Sequence, residues 1–133
     1  MPGMKLVFIV DQEPQARHGL WCMLTRPGWS FRLFADARAA LAAMDVRPPD
    51  LVVADLDLPD SDGVALLGEM HRRDPSVRKI LMVGTEPPAG ARHALHDGII
   101  DGVTAKPAGE LLGELARELL GERFKGDGLA LAG

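Results

Sequence analysis

The chain has 133 residues, of which 47% are hydrophobic and 26% are charged, a size and balance typical of one soluble globular domain. Its formal net charge of -4 at pH 7 argues against direct binding to nucleic acid, because such domains usually carry a basic excess. No apolar run reaches the roughly 20 residues of a membrane span, no signal peptide is evident, and the single Cys22 cannot form an internal disulfide, so we expect a cytoplasmic protein.

Short apolar runs alternate along the chain with longer amphipathic stretches, which is typical of β-α units that build a parallel sheet. In chain order we predict strand 5–10, helix 14 to about 25, strand 30–34, helix 37–44, strand 51–54, helix 63–73, strand 80–83, helix 89–96, strand 103–105 and helix 110–124. The predicted fold class is therefore α/β, with five strands and five helices.

Residues 1–125 would form one domain. Residues 126–133, which show no periodicity, would be a flexible tail or the remnant of a linker.

Aspartates mark the start of two predicted helices. Asp36 directly precedes the second helix and Asp62 the third, positions where a carboxylate accepts hydrogen bonds from backbone N–H groups of the first turn. Asp57 and Asp60 lie in the same acidic segment, and we interpret their side chains as part of a solvated loop.

Four of the predicted strands are followed by residues that can carry chemistry. Asp11 follows the first strand and Asp55 the third. Gly84 and Thr85 follow the fourth strand, and Lys106 follows the fifth. In an open α/β sheet the carboxyl ends of the strands share one edge, and ligands bind in the crevice beyond it. If strands one and three are neighbours, the two aspartates start about 4.8 Å apart, and Lys106 or a cation such as Mg²⁺ is needed to offset their charge.

Four motifs together resemble the receiver domain of bacterial two-component response regulators. They are LVFIVDQEP at 6–14, PDLVVADLDLPDSDG at 49–63, LMVGTE at 81–86 and TAKP at 104–107. The match extends over essentially residues 5–124, and the second motif is highly specific. The resemblance implies a flavodoxin-like fold in which five parallel strands have the order 2-1-3-4-5.

The resemblance also implies a role for each site residue. Asp55 would be the phosphoacceptor, which takes a phosphoryl group from the phosphohistidine of a sensor histidine kinase or a phosphotransfer protein. Mg²⁺ and Lys106 would neutralise the transferred oxygens. The metal would be held by Asp11, Asp55 and the backbone carbonyl of Asp57. The signal would pass through altered contacts with a downstream output domain or protein, so the chain would be a regulator rather than an enzyme, with at most self-catalysed phosphotransfer and dephosphorylation.

Three departures from the family pattern predict a degenerate site. Gln12 replaces the second carboxylate of the acidic turn, and because its side-chain oxygen is a ligand without charge, we expect weak Mg²⁺ binding. Gly84 stands where the family has a Thr or Ser hydroxyl that reaches the phosphoryl group. Thr85, one residue later, faces the other side of an extended chain and is a weak substitute. Val103 replaces an aromatic residue that changes orientation on activation.

Two alternative functions remain open at this point. The same departures are compatible with a pseudo-receiver that binds its partners without phosphorylation. The segment ADLDL at 54–58 also resembles the Asp-x-Asp motif of haloacid-dehalogenase-type phosphatases, although those enzymes usually carry it on an N-terminal strand. A second copy of the domain is a further candidate partner, in a homodimer.

Overall fold

The strands pair side by side into one parallel sheet in the computed structural model, which describes residues 4–121. The elements in chain order are β1 (Lys5–Val10), α1 (Pro14–Leu24), β2 (Trp29–Phe34), α2 (Ala37–Val46), β3 (Leu51–Asp55), α3 (Gly63–Arg73), β4 (Arg78–Val83), α4 (Ala89–His96), β5 (Gly102–Ala105) and α5 (Glu110–Leu119). The strand order is β2-β1-β3-β4-β5, and every neighbouring pair is parallel. The predicted fold class and the strand order implied by the resemblance are both confirmed.

Helices cover both faces of the sheet because its central strands are apolar on both faces. In β1, Phe8 and Val10 belong to one hydrophobic cluster with α2, α3 and α4, whereas Val7 and Ile9 belong to a second cluster with α1 and α5. All four side chains are fully buried. Full burial of one such side chain contributes about 1.5–3 kcal/mol. Burial on both faces therefore holds β1 in place between the two layers of helices.

The two predicted helix caps are present. The Asp36 carboxylate accepts a hydrogen bond from the Ala39 backbone N–H, and the Asp62 carboxylate accepts one from the Ala65 backbone N–H, each at 2.8 Å. These bonds satisfy N–H groups that a helix start leaves without an intrahelical partner. Helices α2 and α3 therefore begin where the sequence predicts.

Helix α5 is shorter than predicted, and this is the one boundary that differs by more than two residues. It ends at Leu119 rather than at 124 because Gly121 adopts φ 83°, a left-handed conformation that stops a helix. Residues 122–124 of the predicted helix and the predicted tail 126–133 lie outside the described residues. The longest described helices have 11 residues, and among them none is long and apolar enough to cross a membrane.

Strand β4 begins two residues earlier than the apolar run indicates, because its first two residues are basic. Lys79 is nevertheless buried. Its Nζ donates to the Val77 carbonyl at 2.5 Å, and its backbone N–H donates to the Asp101 carboxylate at 2.9 Å. Burial lowers the pKa of Lys79 despite the negative charge of Asp101. This lysine lies at the amino end of β4, at the edge of the sheet opposite the candidate site.

Candidate functional site

Asp11 and Asp55 lie side by side at the carboxyl edge of the sheet. Strand β1 pairs with β3 so that Val10 stands opposite Ala54, and the next residue on each strand is an aspartate. Asp55 is the last residue of β3. Asp11 comes directly after β1, where its backbone N–H donates to the Phe34 carbonyl of β2 at 3.0 Å. Both are withdrawn from solvent, with Asp11 0% and Asp55 4% exposed.

Lys106, the third predicted member of the site, bridges the two aspartates. Its Nζ lies 3.0 Å from Asp55 Oδ2 and 3.6 Å from Asp11 Oδ2. The first contact is a hydrogen bond, whereas the second is an ion pair that is too long for one. The lysine follows β5, two strands away from Asp55, and its long side chain spans the end of β4. The structure thus brings together the three residues that the sequence predicts to share one crevice.

The charges of the two aspartates keep Lys106 protonated. Partial burial opposes the charged ammonium, but the hydrogen bond to Asp55 and the negative charges of Asp11 and Asp55 outweigh it, so the pKa of Lys106 is raised. One ammonium against two carboxylates leaves one negative charge uncompensated. This negative charge would attract a cation, or an electron-poor phosphorus atom, that enters the crevice.

The two oxygens of Asp11 have different surroundings. Oδ1 accepts the Glu13 backbone N–H at 3.0 Å, which fixes the start of the loop between β1 and α1. The Asp11 backbone carbonyl accepts a hydrogen bond from the Arg17 guanidinium at 2.8 Å. Oδ2 is buried and accepts no hydrogen bond from any described residue. Buried carboxylate oxygens usually have a hydrogen-bond partner, so Oδ2 is an oxygen with capacity to ligate a cation.

Gln12 does not present its oxygen to the backbone of the neighbouring loop. Its Nε2 donates to the backbone carbonyl of Asp57 at 3.3 Å, and since a carbonyl only accepts, the nitrogen end of the amide must face it. This bond joins the β1–α1 loop to the loop between β3 and α3. The carbonyl concerned is the one that the family resemblance assigns to the metal.

The loop between β3 and α3 is fastened to α2 through Asp60. The Asp60 carboxylate accepts the backbone N–H groups of Ala37 and Arg38 at 2.9 and 3.0 Å, and these bonds lower the pKa of Asp60. Asp60 is exposed, as predicted, but its carboxylate also makes a contact that the prediction did not include. The sequence carries no signal for the contact, because the partners are more than twenty residues apart and an exposed loop aspartate is common. The Asp57 side chain is exposed as well, as predicted.

Gly63, the first residue of α3, is required by the close approach of this helix to the end of β3. A Cβ at this position would lie 2.4 Å from the Asp55 carbonyl oxygen and 2.6 Å from Leu81 Cδ1. The Asp-Gly pair that opens α3 thus has a steric role, which is to let the helix start against the backbone of Asp55. The motif predicts the glycine, but only the structure shows what it contacts.

The remaining predicted positions are Gly84, Thr85 and Val103, and among the described residues none of them makes a polar contact to Asp55. Gly84 and Thr85 follow β4 and are exposed. A Cβ built on Gly84 has no heavy atom within 4 Å, so a side chain at this position would have room. Val103 on β5 is half-buried and packs against the core cluster on the α2, α3 and α4 face.

The oxygens available for a cation are few and of the kind that Mg²⁺ prefers. They are Asp11 Oδ2, the Asp55 carboxylate and the Asp57 carbonyl, all hard oxygen ligands. Between residues 4 and 121, no three His, Cys, Asp or Glu side chains are grouped as a metal site. The remaining candidate oxygen in this set is the Asp57 backbone carbonyl, which accepts a hydrogen bond from Gln12.

A doubly wound sheet with an acidic pair and a bridging lysine at its carboxyl edge defines the class of receiver domains. The chain belongs to this family, because the response regulator receiver domain model matches residues 7–116. Among solved structures, the signal receiver domain of an HD domain-containing protein from Pseudomonas fluorescens Pf-5 is 27% identical, with a TM-score of 0.80, and the match covers 87% of this chain and 94% of that one. A CheY-like receiver domain protein from Methanospirillum hungatei JF-1, at 24% identity and a TM-score of 0.78 over 98% of this chain and 99% of that one, supports the fold.

The curated relatives are longer proteins. The C4-dicarboxylate transport transcriptional regulatory protein DctD of Rhizobium meliloti is 30% identical over 117 residues, which are 88% of this chain and 25% of that protein. The transcriptional regulatory protein KdpE of Mycobacterium tuberculosis is 38% identical over 68 residues, which are 51% of this chain and 30% of that protein. The chain thus spans about a quarter of the length of the curated relatives it matches.

Proposed function

We propose that the chain accepts a phosphoryl group on Asp55 from the phosphohistidine of a sensor histidine kinase or a phosphotransfer protein. The observation that carries the proposal is the Lys106 ammonium, held 3.0 Å from the Asp55 carboxylate at the carboxyl edge of a receiver fold. In the transfer, an Asp55 oxygen forms a bond to phosphorus while the phosphorus–nitrogen bond breaks, and the electron pair leaves with the imidazole. Lys106 holds Oδ2, so we assign the attack to Oδ1.

Charge compensation is the main contribution that the chain makes to this step. Lys106 is already protonated and poised beside the acceptor, so it can follow the oxygens of the phosphoryl group without a prior proton transfer. Asp11 Oδ2, the Asp55 carboxylate and the Asp57 carbonyl would hold Mg²⁺, for which the buried Oδ2, which accepts no hydrogen bond from a described residue, is a suitable ligand. When bound, Mg²⁺ would supply further positive charge to the transferred oxygens.

The output of the domain is proposed as a change in protein–protein contacts in the cytoplasm. Relatives of this chain are named as transcriptional regulators. We propose by analogy that the receiver controls an output domain or a separate protein. Altered contacts require no chemistry beyond phosphotransfer and hydrolysis of the acyl phosphate, which fits a regulator rather than a metabolic enzyme.

The test is the intact mass of the protein after incubation with Mg²⁺ and acetyl phosphate. We expect the mass of one added phosphoryl group in the wild type and in Asp57→Asn, which keeps the Asp57 carbonyl, and no added mass in Asp55→Asn. The two variants make the same chemical change two residues apart, so they distinguish the buried acceptor from the exposed loop aspartate. Mass gained equally by Asp55→Asn would contradict the proposal.

A phosphorylation-independent binding module is the second candidate. It is favoured by the hydrogen bond that already joins Gln12 to Asp57 and by the open space at Gly84. An unchanged mass in a sample that is folded by circular dichroism would support this candidate.

The phosphatase hypothesis has a test of its own. Turnover of an aryl phosphate that is abolished by Asp57→Asn would support it, although the Asp57 side chain is exposed and the family model is that of a receiver.

A further inference from the structure

Gln12 and Asp57 lie on the two loops that flank the acceptor, and both loops are held in place. In the first loop, Asp11 Oδ1 accepts the Glu13 backbone N–H. In the second, the Asp60 carboxylate is bonded to the start of α2. The hydrogen bond from Gln12 Nε2 to the Asp57 carbonyl therefore joins two fixed loops rather than two freely moving segments.

The Asp57 carbonyl is also the oxygen that a bound cation would need. The described residues offer two carboxylates and this carbonyl, and no third acidic side chain completes the set. The carbonyl already accepts an amide N–H, whose hydrogen carries partial positive charge. The Gln12 amide N–H thus places a partial positive charge next to the Asp57 carbonyl oxygen, where a bound divalent ion would otherwise lie.

We propose that the Gln12 amide is an internal substitute for the cation, and that a divalent cation binds at this edge only after displacing it. The inference rests on the proposed function only in that both concern the same group of oxygens around Asp55. A carboxylate at position 12 would add negative charge and make a cation necessary to hold the loops together. The neutral amide removes that charge and joins the loops by itself, while Lys106 offsets part of the charge of the two aspartates.

The opposing hypothesis makes Gln12 a weak metal ligand through Oε1. The two hypotheses predict opposite changes for one variant. If the amide blocks the carbonyl, its removal in Gln12→Ala strengthens cation binding even though no ligand is added. If Oε1 is a ligand, the same substitution weakens binding.

We suggest measuring the binding of Mn²⁺ to the full 133-residue chain by the electron paramagnetic resonance signal of the free ion. Mn²⁺ prefers the same octahedral oxygen ligands as Mg²⁺. Because a typical hydrogen bond contributes about 0.5–1.5 kcal/mol net, we expect the Kd of Gln12→Ala to be about 2- to 13-fold lower than that of the wild type. Gln12→Glu should bind more tightly still, since it adds a charged oxygen ligand in a side chain of the same length.

The matched control is Gln15→Ala, which removes an exposed glutamine from the first turn of α1 and should leave the Kd unchanged.

The side-chain amide resonance of Gln12 in nitrogen–proton NMR spectra gives a second readout. We expect this resonance, identified by its absence from Gln12→Ala, to move toward the position of a free glutamine amide as Mg²⁺ is added. Unchanged or weaker Mn²⁺ binding by Gln12→Ala would overturn the proposal, as would an amide resonance that stays in place while the Asp11 and Asp55 signals shift. Neither measurement requires phosphotransfer, so failure of the displacement and failure to phosphorylate Asp55 are distinguishable.

Discussion

At the residue scale, single positions determine whether α3 can start beside Asp55. Gly63 is the clearest case, because the space that a side chain would occupy is already filled by the Asp55 carbonyl and a leucine of β4. A backbone carbonyl cannot move aside as the end of a flexible side chain can. The start of α3 therefore depends on the absence of a side chain at Gly63.

We predict that Gly63→Ala lowers the free energy of unfolding by about 1–3 kcal/mol, the usual range for an overpacked site. Gly68→Ala, in the same helix, is the matched control. No heavy atom lies within 4 Å of its added Cβ, so the higher helix propensity of alanine should stabilise the protein by about 0.5–1 kcal/mol. Urea denaturation of both variants measures the difference, and equal effects of the two substitutions would contradict the steric argument.

At the element scale, the loop after β3 and helix α2 are held as one unit by a single carboxylate. Asp60 supplies two hydrogen bonds to the start of α2, where Asp36 supplies a third. Negative charge is favourable at this end of a helix because of the helix dipole. The position of this loop is therefore tied to the first turn of α2.

We predict that Asp60→Ala lowers the Tm at neutral pH, whereas Asp57→Ala in the same loop changes it little. The hydrogen bonds of Ala37 and Arg38 lower the pKa of Asp60. The stabilisation is therefore complete above the ordinary carboxyl pKa of about 3.9, and it is lost as the pH falls through the lower pKa of the folded state. The Tm difference between wild type and Asp60→Ala should then shrink below about pH 4, which a series of thermal melts can test. A difference that persisted unchanged at pH 2 would exclude the carboxylate as its source.

At the scale of the whole molecule, one group of charges connects the ends of three strands. Asp11, Asp55 and Lys106 follow or end β1, β3 and β5, and the lysine crosses β4 to reach the aspartates. The arrangement contributes to stability through the pairing, while the proximity of the two carboxylates works against it. Removing the lysine and removing one carboxylate should therefore have opposite effects.

We predict that Lys106→Met lowers the free energy of unfolding by about 1–3 kcal/mol, because it leaves buried carboxylates without their partner. Asp55→Asn keeps an oxygen toward the lysine and removes one like charge, so it should leave stability unchanged or raise it. Since the pKa of Lys106 is raised, its contribution is complete below the ordinary lysine value of about 10.4 and is lost only as the pH rises through the higher folded value. Urea titrations at pH 7 and pH 9 should thus give the same difference, with Lys5→Met, at the far end of β1, as the control.

The elements and the grouping of Asp11, Asp55 and Lys106 at one edge of the sheet were predictable because they depend on local patterns. Apolar runs and turn residues indicate each strand and helix, and the positions of the aspartates and the lysine after those strands indicate the crevice. The strand order came from the family resemblance rather than from periodicity. The prediction missed the end of α5 because it followed the pattern of leucines past Gly121, a glycine that could have indicated a left-handed stop at this point.

The contacts that periodicity misses are those between distant loops. The Gln12 amide meets the Asp57 carbonyl across 45 positions of the chain, and Asp60 meets the start of α2 across 23 and 22. Neither partner belongs to a repeating pattern. The sequence predicts weak metal binding from the missing charge of Gln12, whereas only the three-dimensional arrangement shows where the amide nitrogen points.

The unobstructed position at Gly84 has a consequence for protein engineering. Since no heavy atom lies within 4 Å of a Cβ built on this residue, a serine can be introduced there without displacing its neighbours. The same change at an enclosed position such as Gly63 would collide with the backbone. A single substitution can thus reinstall the hydroxyl group that the family pattern has after β4.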